Sequence, residues 1–462
     1  MKTYCNPLPI PDYPIGRNVP GEDGKCPAWR ELADPTVLYE DGVWYLYPSC
    51  GMAWWSEDFV TWRHKRMEPF DCGYAPTVAK HRGRFWLLAF GSDLRVSDSP
   101  LGPFEPVGPL RAPDGSEVRV GDPMLFPDDD GRLYLYFGCG EKISGVELDA
   151  ADPTRLLSDP AAMFAMDTAA HPWERMGACN VDPNYSWVEG PWMFKRGGVY
   201  YLTYAAPGTQ WPSYGMGAYR SRSPLGPWEY VRTSPFLSGR TGLVTGPGHG
   251  CLVRGPGDSV WAFYTCCTCH HHMFERRIGM DRIFFGEDGG IVPATASETP
   301  QIAPGLDGAG TPAGLLPLTR LAQCEATSCA PGRDAIYACD GSMLSWWQPA
   351  DGDPAPAVTA LCAYHGVPLA VAAVRVVWRD VGLDPLRGVG PGPFGYRVEA
   401  ETAPGAWTCV LDRSGSREDL LCDYRELPGP VRALRVRLVV VSHPPGIAPG
   451  VIDFTAFGQP LT

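Results

Sequence analysis

No run of about 18 apolar residues, the length a membrane-spanning helix needs, occurs anywhere in the 462 residues. The opening Met1-Lys2-Thr3-Tyr4-Cys5-Asn6-Pro7 carries no apolar core of the kind an export signal requires. No membrane is therefore expected as a partner, and the protein reads as cytoplasmic. Runs of positive charge are missing too. With 39 Lys and Arg against 52 Asp and Glu, the formal net charge of −13 repels a phosphate backbone; nucleic acid is excluded as a partner, while neutral ligands such as sugars stay open. Stretches free of helix breakers are scarce. The 54 Gly and 49 Pro argue against long helices and for short strands joined by tight turns, an all-β protein. Cysteine, by contrast, is plentiful, but its 16 copies are scattered through a chain with no export signal and read as reduced, mostly buried thiols.

What is present is a repeat. A carboxylate beside a proline, followed by an apolar run, occurs at Asp34-Pro35-Thr36-Val37, Asp122-Pro123-Met124-Leu125 and Glu189-Gly190-Pro191-Trp192. Each is followed by an aromatic-rich run such as Val43-Trp44-Tyr45-Leu46-Tyr47 or Arg132-Leu133-Tyr134-Leu135-Tyr136, which suits a half-buried pleated surface. Ala75-Pro76 is a further copy, and a fifth begins near Gly248-His249-Gly250. The prolines 35, 76, 123 and 191 are 41, 47 and 68 residues apart. That spacing, with several short strands per unit, predicts a five-bladed β-propeller, with a β-sandwich as the alternative. The long third step holds an insertion over 150–187, read as a loop on one face. Residues 6–31, dense in proline, read as an extended arm wrapping the first repeat. The propeller unit is placed at 1–302, a Gly/Pro-rich linker at 303–316, and a second β domain at 317–462, with 371–378 and 431–440 as its clearest strands. No repeat carboxylate comes from 317–462, so removing that segment is expected to leave the site in place.

Residues at one phase of a propeller repeat converge at one end of its axis. That phase is read as Asp34, Ala75, Asp122, Glu189 and His249. Carboxylates brought together raise one another's pKa values, and unequal neighbours supply the protonated acid and ionised base that glycoside hydrolysis requires. Flat apolar surface for a sugar face is sought in Trp54, Trp192, Trp211 and Tyr214, with Trp54 preferred. The string Cys266-Cys267-Thr268-Cys269-His270-His271-His272 lacks the separated ligand pairs of a zinc module and reads as a strand end entering a loop.

These pieces, together with Ser56-Glu57-Asp58-Phe59-Val60-Thr61-Trp62 and Arg276 leading to Asp281, resemble glycoside hydrolase family 43 over about 6–291. The resemblance implies Asp34 as general base, Glu189 as general acid, and Asp122 as a third carboxylate that orients Glu189 and raises its pKa. It also implies inversion of anomeric configuration. His249 is similar to the axial histidine that faces a central water or a calcium ion in many members; no cofactor is required, and a structural calcium on the axis is the candidate metal. Arg276 resembles the arginine near the third carboxylate, with the adjacent Arg277 leaving the register open by one. Ser345-Trp346-Trp347-Gln348-Pro349 and Asp453-Phe454-Thr455-Ala456-Phe457-Gly458 resemble the discoidin, or coagulation factor C-type, jelly-roll sandwich. The implied activity is exo-hydrolysis of oligosaccharides, releasing α-L-arabinofuranosyl or β-D-xylosyl units. A β-galactosidase acting on galactan and a non-catalytic carbohydrate-binding propeller are the alternatives.

Overall fold

A computed structural model describes residues 3–16, 29–59, 61–67, 74–268, 272–306, 314–362 and 367–461. These residues contain no α-helix, only four 3₁₀ turns. Five largely antiparallel sheets built on the repeat follow one another, the fourth also taking in a short parallel pair between Leu237–Ser238 and Ala294–Thr295. Each is built on one strand of the repeat: β1 (Thr36–Glu40), β2 (Thr77–His81), β3 (Met124–Pro127), β4 (Val188–Arg196) and β5 (Thr245–Arg254). β1 touches β2, and contact passes in order through β3, β4 and β5 back to β1. The aromatic-rich runs are the second strands, and their alternate residues fill the space between sheets. Leu46, Leu87, Leu135, Leu202 and Phe263 are all nearly or fully buried, each contributing about 1.5–3 kcal/mol.

The insertion is partly sheet rather than loop. Ala161–Ala165 pairs with Lys142–Leu148 as the outer strand of the third sheet, and residues 166–187 then run irregularly back toward β4. The arm runs between the first sheet, where Trp54 Nε1 donates to Pro11 O, and the fifth. Leu8 N–H donates to Ile278 O, Leu32 N–H to Arg276 O, and Asn6 exchanges hydrogen bonds with the Met280 backbone. The arm thus covers Arg276–Ile283, the outer strand of the three-stranded fifth sheet, where the open edge needs a partner. Residues 17–28 of the arm and 307–313 of the linker lie outside the described residues.

Beyond the linker, a four-stranded and a five-stranded antiparallel sheet share one core. Leu369–Val381 is flanked by Cys422–Ala433 and Ala448–Pro460 in the first of them. The run 431–440 is not one strand: Leu434 breaks it, its N–H donating to Glu401 O, and Arg435–Ser442 belongs to the other sheet. Arm and second unit interlock. Arg30, 2% exposed, donates to Asp380 Oδ2 at 2.7 Å and to Asp419. Arg375, 1% exposed, donates to Asp453 Oδ2 at 2.9 Å, Asn6 O at 2.9 Å and Glu298 O at 2.7 Å. No helix of the described residues is long and apolar enough to cross a membrane.

Candidate active site

One backbone device recurs at the five inner strands. Asp34 (φ 51°), Ala75 (47°), Asp122 (46°), Gly190 (57°) and His249 (39°) all lie in the left-handed region, and in the first four the next residue is proline. Asp tolerates this conformation better than most residues; Ala and His hold it at a cost of order 1–3 kcal/mol, the kind of strain that collects at functional sites. In the fourth sheet the shared position belongs to Gly190, so Glu189 stands one residue ahead of the phase assigned to it. A register shift between Glu189 and Trp192 explains how it still reaches the site, since such a bulge re-aims a side chain. Gly190 is also required sterically: a Cβ there would sit 2.6 Å from His249 Cδ2.

Asp34, Asp122, Glu189, His249 and Arg276 line one cavity of about 530 Å³. Asp34 is 5% exposed, and both of its oxygens are held. Ser49 Oγ donates to Oδ2 at 2.7 Å, while Arg276 Nη1 at 3.1 Å and His249 Nδ1 at 3.3 Å face Oδ1. Burial works to raise the Asp34 pKa, but Arg276, His249 and Ser49 outweigh it and hold the carboxyl below its ordinary value. Arg276 is fixed from behind by Glu31, and its guanidinium lies 5.1 Å from the Phe274 ring. The register left open by the Arg-Arg pair is settled by strand alternation: Arg277 turns away, donating to Arg30 O at 2.8 Å. Arg276 pairs with Asp34 and Glu31, not with the third carboxylate Asp122.

Asp122 is 6% exposed, and its Oδ2 has no hydrogen-bond partner, lying 3.7 Å from His249 Nδ1. Burial is the main reason its pKa is pushed up to about 7; the Glu189 and Asp34 carboxylates add to the rise and His249 opposes it. Tyr214 Oη at 2.5 Å on Oε1 and Trp187 Nε1 at 2.9 Å on Oε2 donate to Glu189 and orient it. Cys139, paired across the sheet with Glu189, places its thiol 3.6 Å from Oε2. Burial and the neighbouring Asp122 and Glu189 raise that thiol, which keeps it a neutral donor. Asp122, Cys139 and Glu189 offer ligand atoms within 4.8 Å of one another.

The expected stacking residues are not where the cavity is. Trp54 is 0% exposed, its indole donating to Pro11 O under the arm; strand alternation separates Trp54 from Trp55 without saying which face is interior. Trp192 donates to Leu252 O and staples the fourth sheet to the fifth. Trp211 keeps its indole nitrogen buried and does not line the cavity. Tyr214 is 1% exposed and acts through its hydroxyl on Glu189, not as a sugar platform. Apolar walls come instead from Tyr74, Phe90, Trp187 and Phe274. Ser49, Cys139 and Trp187 carried no sequence signal, since each is recruited by a strand register or a loop path.

A calcium ion takes six to eight oxygen ligands. The space enclosed by the inner strands, beside His249, is about 10 Å³, the size of one water. Asp34 and Asp122, the nearest carboxylates, are directed at His249 itself, whose pKa they raise, with Glu189, against the lowering effect of burial. These residues do not fit a resident calcium. Cys266 and Cys267 are buried in the strand Val260–Cys267, His272 stacks on Trp29 at 4.1 Å, and Cys269, His270 and His271 lie outside the described residues.

Residues 28–291 match the family described as glycosyl hydrolases family 43, more than half of the chain. The chain belongs to glycosyl hydrolases family 43. This family 43 protein is thus a glycoside hydrolase. It is 26% identical over 304 residues to a β-D-galactofuranosidase of Aspergillus niger, covering 58% of this chain and 83% of that protein. A β-xylosidase of Xylanibacter ruminicola is 26% identical over 331 residues, 56% and 95% of the two chains. A xylosidase/arabinosidase of Humicola insolens is 27% identical over 260 residues, 47% and 74% of the two. Among solved structures, one titled glycoside hydrolase shares the fold over 92% of this chain and 97% of its own, with TM-score 0.51 and 20% identity. A thermostable family-43 glycoside hydrolase covers 66% of this chain and 100% of its own, with TM-score 0.51 and 23% identity.

Proposed function

We propose that the protein is an inverting exo-glycosidase that releases α-L-arabinofuranosyl or β-D-xylosyl units from short plant-derived oligosaccharides. Its ring of five sheets is read as a five-bladed propeller and its second unit as a discoidin-like sandwich. The observation that carries the reading is the division of labour among three carboxylates on one cavity floor. Asp34, held below its ordinary pKa, is the ionised base that takes a proton from water as the water attacks the anomeric carbon. Glu189, aimed by Tyr214 and Trp187, gives a proton to the departing oxygen as the glycosidic C–O bond breaks. Asp122, buried beside it, has its own pKa pushed up to about 7 by burial and by the Glu189 and Asp34 charges. Inversion asks for about 6.5–9.5 Å between base and acid, leaving room for the water.

A panel of nitrophenyl glycosides, with the anomer of the first product read by NMR, tests the reading. Turnover of arabinofuranoside or xyloside with inverted product is expected; a retained product or an inert protein counts against it. A galactofuranoside belongs in the panel because one relative is a β-D-galactofuranosidase. The pH profile is a second check. Burial pushes the Asp122 pKa up to about 7, so kcat/KM is expected to fall as pH rises through about 7 and Asp122 loses its proton. Asp122→Asn removes one of the two repelling charges, and the basic limb should move to lower pH. An unmoved limb would detach Asp122 from the acid.

A further inference from the structure

The site resting on that reading needs room for one sugar, yet the cavity is about 530 Å³, within the range of about 300–1,000 Å³ that takes a whole drug-sized ligand. Its charged groups are all at the floor. The walls above are Phe90, Met176, Tyr185, Trp187, Met273 and Phe274. Three of these six are left open to solvent to an unusual degree for large apolar side chains: Phe90 is 52% exposed, Tyr185 45% and Met273 45%. They come from three separate segments, the end of the second sheet, the insertion, and the turn after His272, so the apolar character is not an accident of one loop. Trp187 has its indole nitrogen committed to Glu189, which leaves only its ring to meet a ligand. Tyrosine hydroxyls apart, Thr209 and Gln210 are the polar side chains among the described wall residues, and Thr209 is 7% exposed with its hydroxyl turned to Cys267 Sγ at 3.5 Å. Among the described wall residues, a second sugar in this space would find few partners for its several hydroxyls.

We propose that the upper cavity is a subsite for an apolar leaving group, so that glycosides of aliphatic or aromatic alcohols are better substrates than a disaccharide of the same sugar. The floor positions the glycosidic bond as before, and the alcohol leaves along the apolar walls. Each methylene placed on such a wall is worth up to about fourfold in binding, equivalent to about 0.8 kcal/mol.

Methyl, butyl, hexyl and benzyl glycosides of whichever sugar is accepted have alcohols of similar basicity, so the bond-breaking chemistry stays nearly constant along the aliphatic series. Rising kcat/KM is expected, by about tenfold or more from methyl to butyl, with butyl and benzyl above xylobiose or arabinobiose. Tyr185→Ser and Met273→Ser should flatten the rise. A flat or falling series, or a disaccharide preferred tenfold over the butyl glycoside, overturns the subsite. Calorimetry with methyl and butyl 1-thioglycosides, which are not hydrolysed, separates this from failure of the proposed activity. Tighter butyl binding with a more negative heat-capacity change supports the subsite even if no glycoside is cleaved. Equal binding of the two overturns it.

Discussion

Glu189→Ala is expected to lower kcat/KM on a natural disaccharide by about 10²–10⁴-fold, the usual worth of a positioned acid, while sparing far more of the activity on a dinitrophenyl glycoside. A poor leaving group needs a proton as it departs; dinitrophenolate does not. Asp34→Ala should be severe on both substrates, because water must be activated whatever leaves. Asp34 carries more than chemistry, however: it is the partner of buried Arg276, and its oxygens are bound by Ser49 and His249. Asp34→Asn, which keeps the shape and removes the charge, is the cleaner companion, and a thermal melt of each variant separates lost catalysis from lost folding. If a good leaving group rescues Asp34→Ala but not Glu189→Ala, the acid and base are exchanged.

The parts of this site that could be read from the chain are those written into local backbone chemistry. Pro35, Pro76, Pro123 and Pro191 each follow a residue at positive φ, so the repeat marks the entrance of the inner strands and the carboxylates standing there. Even so, Glu189 stands one residue ahead of the phase position, which belongs to Gly190. Acidic character and position coincided at Asp34 and Asp122 but are separated by a bulge in β4. What the chain conceals is orientation and distance in sequence. Alternation along Met52–Ser56 separates Trp54 from Trp55, but only the arm, delivering Pro11 O to the indole, makes Trp54 interior. Tyr214 and Cys139 meet Glu189 across 25 and 50 residues, through contacts that no short motif encodes. The cavity walls come from connecting segments, whose paths depend on what they pack against rather than on periodicity.

Arg30→Ala is expected to destabilise the folded protein by about 3–5 kcal/mol, the cost of stranding buried charges when one partner is removed. Asp380 and Asp419, both in the second unit, would lose their shared cation. The effect should also reach the site. The carbonyl of Arg30 receives Arg277, and the next residue, Glu31, holds Arg276, which holds Asp34. No lining residue of the cavity comes from 317–462, so the carboxylates themselves survive truncation. Their support does not, because truncation at 302 leaves Arg30 without Asp380 and Asp419 and opens the apolar arm residues Leu8, Ile10 and Tyr13, which share a core with Trp378 and Phe454. A fragment of residues 1–302 is therefore expected to be poorly soluble or molten, with lost near-ultraviolet circular dichroism. Urea unfolding of Arg30→Ala, beside Arg30→Met combined with Asp380→Leu and Asp419→Leu, tests whether the charges are the cause. The triple variant should recover most of the stability, since an apolar replacement leaves no unpaired ion. A well-folded, active 1–302 fragment would instead show that the second unit only sits against the first.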